Sequence, residues 1–464
     1  MASNEKNSGG SSDQEVLNVE ATEETGSQDK PTPQQDPSTA EVISTTAATP
    51  DRDKPAGRQP SPPPPAPPPD GGLLAWLQVL GSWFLFMNSW GLVNTYGVFQ
   101  TYYELTLLPN KTPSDIAWVG SLQACLLLVV GVVTGPLFDL GYFNLLLWTG
   151  SVLVVFGMMM TSLCTQYWQV MLAQGLVVGI GFGCLFVPSV AIVSTYFTTR
   201  KAFATGIAAS GSSLGGVLYS IAFSRLQPRI GFPWATRVLG FLALAGLLVC
   251  CAVMRVRVLP KSTRQLLEPR AFREVPYTAF TVSQLVGTMG IWVPFYYVQT
   301  YAIEVAGTDA SLAFYLVTLL NAASILGRLV PNYLADKTGP LNIMTVAAFC
   351  SAVLAFAWIG ITTTAGLIVF CVLYGFTSGS FVSLPAPTVV SLSPSLNVVG
   401  ARMGMSFSLA GIGILIGNPI GGAILGSASG WTGLQAWAGA TIVCAGVASL
   451  VARVAKNPKL LGKA

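Results

Sequence analysis

Two stretches of this sequence decide the fold. Residues 200–224 read RKAFATGIAASGSSLGGVLYSIAFS, and residues 402–425 read RMGMSFSLAGIGILIGNPIGGAIL. Each begins with a basic residue and continues as an apolar segment with glycines four residues apart on one helix face. A constant offset of 202 positions aligns the two stretches, which indicates an internal repeat of nearly half the chain. The aligned pairs are Arg200 with Arg402, Gly211 with Gly413, and Gly215 with Gly417.

The composition excludes a soluble protein. Of 464 residues, 52% are hydrophobic and only 9% are charged, whereas soluble domains carry roughly a quarter charged residues. The 24 basic and 20 acidic side chains are too few to build a water-facing surface for this length. The net charge of +4 gives no indication of nucleic-acid binding. The sequence therefore predicts an all-α, multi-pass membrane protein whose outer surface faces lipid.

From Leu73 onward the chain contains twelve apolar runs, each long enough to cross the roughly 30 Å of bilayer hydrocarbon as a helix. The longest internal loop divides them into six and six. The predicted spans 1 to 12 are residues 73–98, 116–138, 144–164, 168–194, 204–224, 235–256, 277–302, 311–334, 341–361, 363–388, 401–425 and 431–454. The predicted domains are an N-terminal tail (1–70), a six-helix half (71–256), a linker loop (257–276), a second six-helix half (277–455) and a short C-terminal tail (456–464).

The N-terminal tail is rich in Ser, Thr, Glu, Asp, Gln and Pro and ends in the proline run at 61–70. Because the tail has so few apolar side chains, their burial cannot offset the entropy lost on ordering, and we expect the tail to be disordered. The proline run is expected to adopt an extended polyproline II conformation. We expect no cleavable signal peptide. Proline runs are ligands of SH3 and WW domains, and a plain spacer is the alternative interpretation.

The basic residues predict the orientation. With the N-terminus in the cytoplasm, 19 of the 24 basic residues lie on the inner side and four on the outer side. By the positive-inside rule, both termini are expected in the cytoplasm, and we expect the plasma membrane as the location. The sequon Asn110-Lys111-Thr112 falls in the first outer loop, which predicts glycosylation of Asn110.

Arg328 is the basic residue that lies well inside a span. A charge there is costly, by about 2.5–3.5 kcal/mol on insertion scales, so it indicates a function. Asn321, Ser324 and Arg328 share one helix face, which suits an anionic or carbonyl-rich ligand held by the forked guanidinium. The alternative is that the Arg328 side chain snorkels to the cytoplasmic interface.

Other polar residues are candidates for the lining of a central cavity, although aromatic residues near span ends also form interface belts. Together with Arg328, Asn321 and Ser324, the predicted substrate-binding residues are Asn94, Asn88, Tyr297 and Tyr374. The glycines Gly211, Gly215, Gly413 and Gly417 are predicted to let helices approach closely, either for rocking or for static packing.

The sequence resembles the fungal-type monocarboxylate porters of the major facilitator superfamily. The resemblance rests on Asp70-Gly71-Gly72 with Trp76 before span 1, on the element from Tyr196 to Gly206, on Asn321 to Arg328, and on Tyr374 to Gly379. It implies the superfamily fold of twelve helices in two six-helix halves. It also implies a cytoplasmic latch, in which aspartates at the ends of even-numbered spans pair with nearby basic residues. The alternative interpretation of these aspartates is a simple turn at the helix end. The latch residues would be Asp139, Asp336, Arg200, Lys201 and Arg402.

Two positions differ from the animal members of that family, which carry a lysine late in span 1 and an aspartate one turn before the span 8 arginine. Those positions are Asn94 and Ser324 here, so the resemblance does not imply lactate-type proton symport, while an anion contact at Arg328 remains.

The function classes follow from what the sequence contains. Histidine is absent, no cofactor or metal site is recognisable, and there is no phosphate-binding loop for ATP. We therefore predict a secondary active transporter, not an enzyme, that moves a small organic acid or weakly acidic secondary metabolite by alternating access. Efflux of a product of a biosynthetic gene cluster is one expectation. A nutrient or vitamin uptake permease and a non-transporting membrane sensor or scaffold are the alternatives.

Overall fold

The computed structural model describes residues 71–197, 201–257 and 267–458, and this part of the chain is helical without a β-strand. The predicted N-terminal tail, residues 198–200, the linker residues 258–266 and the last six residues lie outside it. The helices are Leu73–Asn88, Trp90–Asn94, Tyr96–Tyr102, Tyr103–Leu107 (π), Pro113–Asp139, Phe143–Thr161, Tyr167–Val170, Met171–Val178 (π), Gly179–Tyr196, Lys201–Val253, Pro269–Arg273 (3₁₀), Val275–Ile291, Val293–Glu304, Ala310–Thr338, Pro340–Ala357, Trp358–Gly360 (3₁₀), Thr364–Ser383, Pro385–Leu392, Leu396–Leu425 and Gly430–Lys456.

These helices correspond to the twelve predicted spans, which confirms the predicted fold class. Within the described residues, nine continuous helices are long and apolar enough to cross a membrane. One of the nine, Phe203–Val253, is two spans that meet at Gly231. Spans 1 and 7 are interrupted and so fall short as single helices. Span 1 continues to Leu107, further than the predicted end at residue 98.

Breaks and turns follow from local sequence. Gly231 has φ of 77°, which a residue with a Cβ rarely adopts, and Pro233 follows it, so spans 5 and 6 turn sharply here. Span 10 breaks at Leu384 because Pro385 cannot donate the next helical hydrogen bond. Span 2 begins with a capping box, in which the Thr112 Oγ1 accepts a 3.1 Å hydrogen bond from the backbone N–H of Asp115.

The repeated glycines form equivalent close helix contacts in the two halves. A Cβ at Gly211 would lie 2.2 Å from the carbonyl oxygen of Trp83, and one at Gly413 would lie 2.2 Å from that of Leu285. Span 5 therefore touches span 1 backbone to backbone, and span 11 touches span 7 in the same way. The partners follow the same offset of 202 positions as the glycines. The second pair of contacts is Gly215 with Met87 and Gly417 with Met289.

Large apolar side chains cover the outside of the bundle, as a lipid-facing surface requires. Val152 on span 3 and Val353 on span 9 are 61% and 67% exposed. We call the end of the bundle at which span 1 begins and span 12 ends the inner end. The opposite end is the outer end.

Candidate functional site

The predicted face of span 8 points at span 5 and therefore lies between the two six-helix halves. Asn321, Ser324 and Arg328 are all buried. The hydroxyls of Ser324 and Ser213 form a 2.8 Å hydrogen bond. A Cβ at Gly216 would lie 2.4 Å from the Asn321 side chain, so the glycine makes room for the amide. The three residues are thus buried against the opposite half and face away from lipid.

Arg328 is a buried cation with neutral partners. Only 6% of the residue is exposed, and its Nη1 donates to the hydroxyl of Ser212 and, at 3.3 Å, to the carbonyl oxygen of Ala209. Within the part of the chain that the structure describes, its Nε has no hydrogen-bond partner. These contacts direct the guanidinium towards span 5, whereas a snorkelling side chain would run along span 8 to the inner end.

Asn94 joins the same group from span 1. Its Nδ2 donates a 3.3 Å hydrogen bond to the carbonyl oxygen of Ser212, and its Oδ1 is buried without a partner among the described residues. Ser212 therefore contacts both Asn94 and Arg328. We name the group formed by Asn94, Ser212, Ser213, Asn321, Ser324 and Arg328 the polar cluster. Its two span 5 serines were not predicted as site residues, although they lie between the predicted glycines.

The structure places the other three predicted binding residues elsewhere. The Oδ1 of Asn88 accepts a 2.5 Å hydrogen bond from Tyr219, so that both partners lie in the first six-helix half. The hydroxyl of Tyr297 donates to the carbonyl oxygen of Asn418 at 3.1 Å, and that of Tyr374 donates to the carbonyl oxygen of Ile291 at 3.0 Å. The described hydrogen bonds of Asn88 and Tyr374 stay within one half. The Tyr297 hydroxyl also interacts with Gln100 on span 1, in the other half, at the outer end. None of these described hydrogen bonds involves the polar cluster.

The inner end holds the predicted latch residue Arg402 in ion pairs that were not predicted. The Nε of Arg402 lies 2.9 Å from Glu268 Oε2, and its Nη1 and Nη2 lie 2.8 and 2.5 Å from the two carboxylate oxygens of Glu274. The guanidinium also lies over the ring of Tyr277, 5.3 Å from its centroid. These contacts tie the end of the linker loop to span 11. The hydrogen bonds from Arg402 lower the pKa of the Glu274 carboxyl.

The remaining latch residues are placed as follows. Asp139 is buried at the inner end of span 2, and Asp336 is exposed at the inner end of span 8. Arg200 and the side chain of Lys201 lie outside the described residues. A latch through the aspartates therefore stays a prediction.

Asn110, the predicted glycosylation site, is exposed in the outer loop between Leu107 and Pro113, and its modification also stays a prediction.

The outer end brings spans 1 and 7 together through polar side chains. The Oε2 of Glu104 accepts a 3.1 Å hydrogen bond from Thr300, and its Oε1 accepts one of 2.7 Å from Gln100. The hydroxyls of Thr300 and Thr101 lie 3.2 Å apart. The two halves are therefore in contact at the outer end.

The sequence matches the profile of the Major Facilitator Superfamily over residues 72–398. This chain belongs to the major facilitator superfamily. The nucleoside transporter NupG, a superfamily fold of known structure, aligns with a TM-score of 0.61 at 14% identity, over 82% of this chain and 99% of that one. At this identity the likeness concerns the fold alone.

Curated fungal relatives of this superfamily member are transporters. The chain is 48% identical to the MFS-type transporter dbaD of Emericella nidulans, over 81% of this chain and 85% of that protein. It is 38% identical to the aspyridones efflux protein apdF of the same organism, over 83% of this chain and 79% of that protein. The protein is thus a multi-pass membrane transporter of the major facilitator superfamily.

Proposed function

We propose that this transporter exports an anionic or weakly acidic secondary metabolite by alternating access, and that Arg328 contacts the acidic group. The observation that carries the proposal is the burial of Arg328 between the two halves with neutral partners only, among the residues that the structure describes. A buried cation without an opposite charge is costly. An anionic substrate would supply the missing charge, and a guanidinium can hold a carboxylate with two parallel hydrogen bonds.

The position of Arg328 also fits alternating access. Its hydrogen bonds reach from span 8 to span 5, across the boundary along which the two halves move. When the halves separate there, Ser212 and Ala209 no longer satisfy the guanidinium. A bound acid would take their place in the open states, so that the substrate stabilises the opened transporter.

The proposed direction of transport and the proposed substrate class are supported by relatives whose names describe export. Besides the aspyridones efflux protein, the fujikurins efflux protein of Gibberella fujikuroi covers 85% of this chain at 37% identity. The resemblance to fungal-type monocarboxylate porters supports the acidic substrate. In this proposal the protein lies in the plasma membrane with both termini in the cytoplasm, as the 19-to-4 distribution of basic residues favours.

The test uses inside-out membrane vesicles and a matched pair of probes, 2-naphthoic acid and its methyl ester. We expect saturable accumulation of the acid above the level in vesicles without the transporter, and weak competition by the ester. Arg328→Ala should remove the acid uptake, whereas Arg229→Ala, at an exposed outer arginine, should leave it unchanged. Equal competition by acid and ester would refute the acidic substrate. Accumulation only in right-side-out vesicles would favour nutrient uptake over export.

A further inference from the structure

Trp90 on span 1 and Trp292 on span 7 stack against each other at the centre of the bundle. Their ring centroids lie 5.7 Å apart with an angle of 14° between the ring planes. Both are buried, with 9% and 3% of their surfaces exposed. Their numbers differ by 202, the offset of the internal repeat. The two indoles are therefore equivalent positions of the two halves, and they meet at the pseudo-symmetry axis.

Both tryptophans lie at helix breaks. Ser89 interrupts span 1 directly before Trp90, and Trp292 is itself the residue at which span 7 is interrupted. Discontinuous helices are typical of substrate sites in secondary transporters, because irregular backbone at membrane depth is tolerated where it lines a binding region. Static packing of two helices requires no such break in both halves.

Further aromatic rings surround the pair. Phe186 on span 4 lies edge-on to Trp90, with centroids 6.2 Å apart, and Phe407 on span 11 lies 5.9 Å from Phe186. The site is thus walled by flat rings from several helices of both halves. Such walls favour a ligand that is itself flat and conjugated over a branched aliphatic one of the same size.

The indole N–H of Trp292 adds a polar requirement. Its Nε1 is buried without a hydrogen-bond partner among the described residues. An unsatisfied buried donor is unfavourable, and buried tryptophans usually donate to some acceptor. A carbonyl or hydroxyl oxygen at the edge of a bound ring would satisfy this donor.

We infer that Trp90 and Trp292 form the binding site for a planar, conjugated ring system of the transported molecule. The inference rests on the proposed function and narrows its substrate class to acids built on a flat ring with an oxygen substituent. In this structure the two indole rings stack on each other. When the halves separate, each indole loses its stacking partner, and the ring of the substrate replaces that partner.

The experiment compares two probes of equal charge and similar carbon skeleton, 2-naphthoic acid and decahydronaphthalene-2-carboxylic acid. Binding to the purified full-length transporter in nanodiscs is measured by competition against radiolabelled 2-naphthoic acid. The variants are Trp90→Leu, Trp292→Leu, the double variant of both, and Trp292→Phe. Trp148→Leu is the control, because Trp148 is 53% exposed on the lipid-facing surface.

Wild type and Trp148→Leu should prefer the planar acid by about three- to tenfold, the preference that one aromatic stacking interaction produces. Each leucine variant keeps one indole and should show a smaller planar preference than wild type, and the double variant Trp90→Leu/Trp292→Leu should bind both acids equally. Retained binding of the saturated acid shows that the variants are folded. Trp292→Phe should keep the planar preference. It should lose the tighter binding that wild type shows for 6-hydroxy-2-naphthoic acid over 2-naphthoic acid, since its ring stacks without an N–H donor for the hydroxyl oxygen.

Three results would overturn the inference: a wild type without planar preference, a double leucine variant that keeps it, or no binding of 2-naphthoic acid at millimolar concentration. A different result would refute the proposed function while leaving this inference intact. A transporter that binds neutral 2-naphthamide as tightly as the acid, while preferring both over saturated analogues, would retain the aromatic site and refute the acidic substrate.

Discussion

The hydroxyl oxygens of Ser213 and Ser324 lie 2.8 Å apart, and their hydrogen bond joins span 5 to span 8. The bond connects one six-helix half to the other beside Arg328. Alternating access separates the halves, so we expect this contact to be made and broken in each transport cycle. The polar cluster is therefore both a part of the closed contact and the predicted place of substrate binding.

The serine pair should show energetic coupling. Ser213→Ala and Ser324→Ala should each lower the melting temperature of the purified protein, and the double variant should lose less than the sum of both. Hydrogen bonds between membrane helices contribute about 0.6 kcal/mol on average, so we expect a coupling of this order. Strictly additive melting-temperature changes would show that the two hydroxyls do not bond in solution.

The glycine contacts make a graded prediction. Gly211→Ala and Gly413→Ala should reduce the yield of monodisperse protein and slow transport, because each new Cβ would lie 2.2 Å from a carbonyl oxygen. Gly206→Ala is the matched control on span 5, where nothing lies within 4 Å of the added Cβ. It should be neutral or stabilise the helix by up to about 1 kcal/mol. Size-exclusion profiles and vesicle flux check both outcomes, and wild-type behaviour of Gly211→Ala contradicts the packing.

The ion pairs of Arg402 predict a pH dependence. Arg402 lowers the pKa of Glu274, so the carboxylate contributes stability above the ordinary glutamate pKa of about 4.3 and loses it as the pH falls through the lowered value. The melting temperature of the wild type should fall more between pH 6 and pH 3 than that of Glu274→Gln. If the melting temperatures of the two proteins changed in parallel with pH, protonation of Glu274 would not be coupled to unfolding. Glu304→Gln, at the outer end, is the control carboxylate.

The outer contact between spans 1 and 7 should hold the transporter closed on that side. Thr300→Val removes the hydroxyl that bonds both Glu104 and Thr101. We expect faster labelling of a cysteine introduced at the buried Gln299, next to the contact, by a membrane-impermeant maleimide in Thr300→Val than in the otherwise wild-type background. Val305→Ala, at an exposed residue beyond the contact, provides the comparison. Equal labelling rates would place the closing contact elsewhere.

Much of the fold could be predicted from the sequence. Apolar runs of membrane-crossing length appear as spans because lipid demands continuous apolar helices, and glycine pairs at one offset appear as repeated close contacts. The breaks in spans 1 and 7 could not be predicted in this way, since Ser89 and Trp292 lie in runs that are apolar on both sides. Hydropathy does not register a change of backbone direction.

The residues of the candidate site could be predicted only in part, for a physical reason. A charge inside a span is conspicuous, so Arg328 and its helical neighbours could be found. Ser212 and Ser213 are small residues of a kind common in helix packing, and a stacked tryptophan pair looks like any other apolar position. The partners of Arg402, Glu268 and Glu274, lie more than a hundred residues away in the sequence. Such contacts depend on the arrangement of helices and not on local patterns.

The measurement that tests the account most directly is the transport of 2-naphthoic acid by Arg328→Lys at matched expression in inside-out vesicles. An ammonium keeps the charge but not the forked donor geometry, so we expect at least a tenfold loss of kcat/KM, with Arg328→Ala inactive and both proteins correctly folded. Full activity of Arg328→Lys would contradict the central claim, because it would mean that any cation at this position suffices and that Arg328 does not hold the acidic group of the substrate.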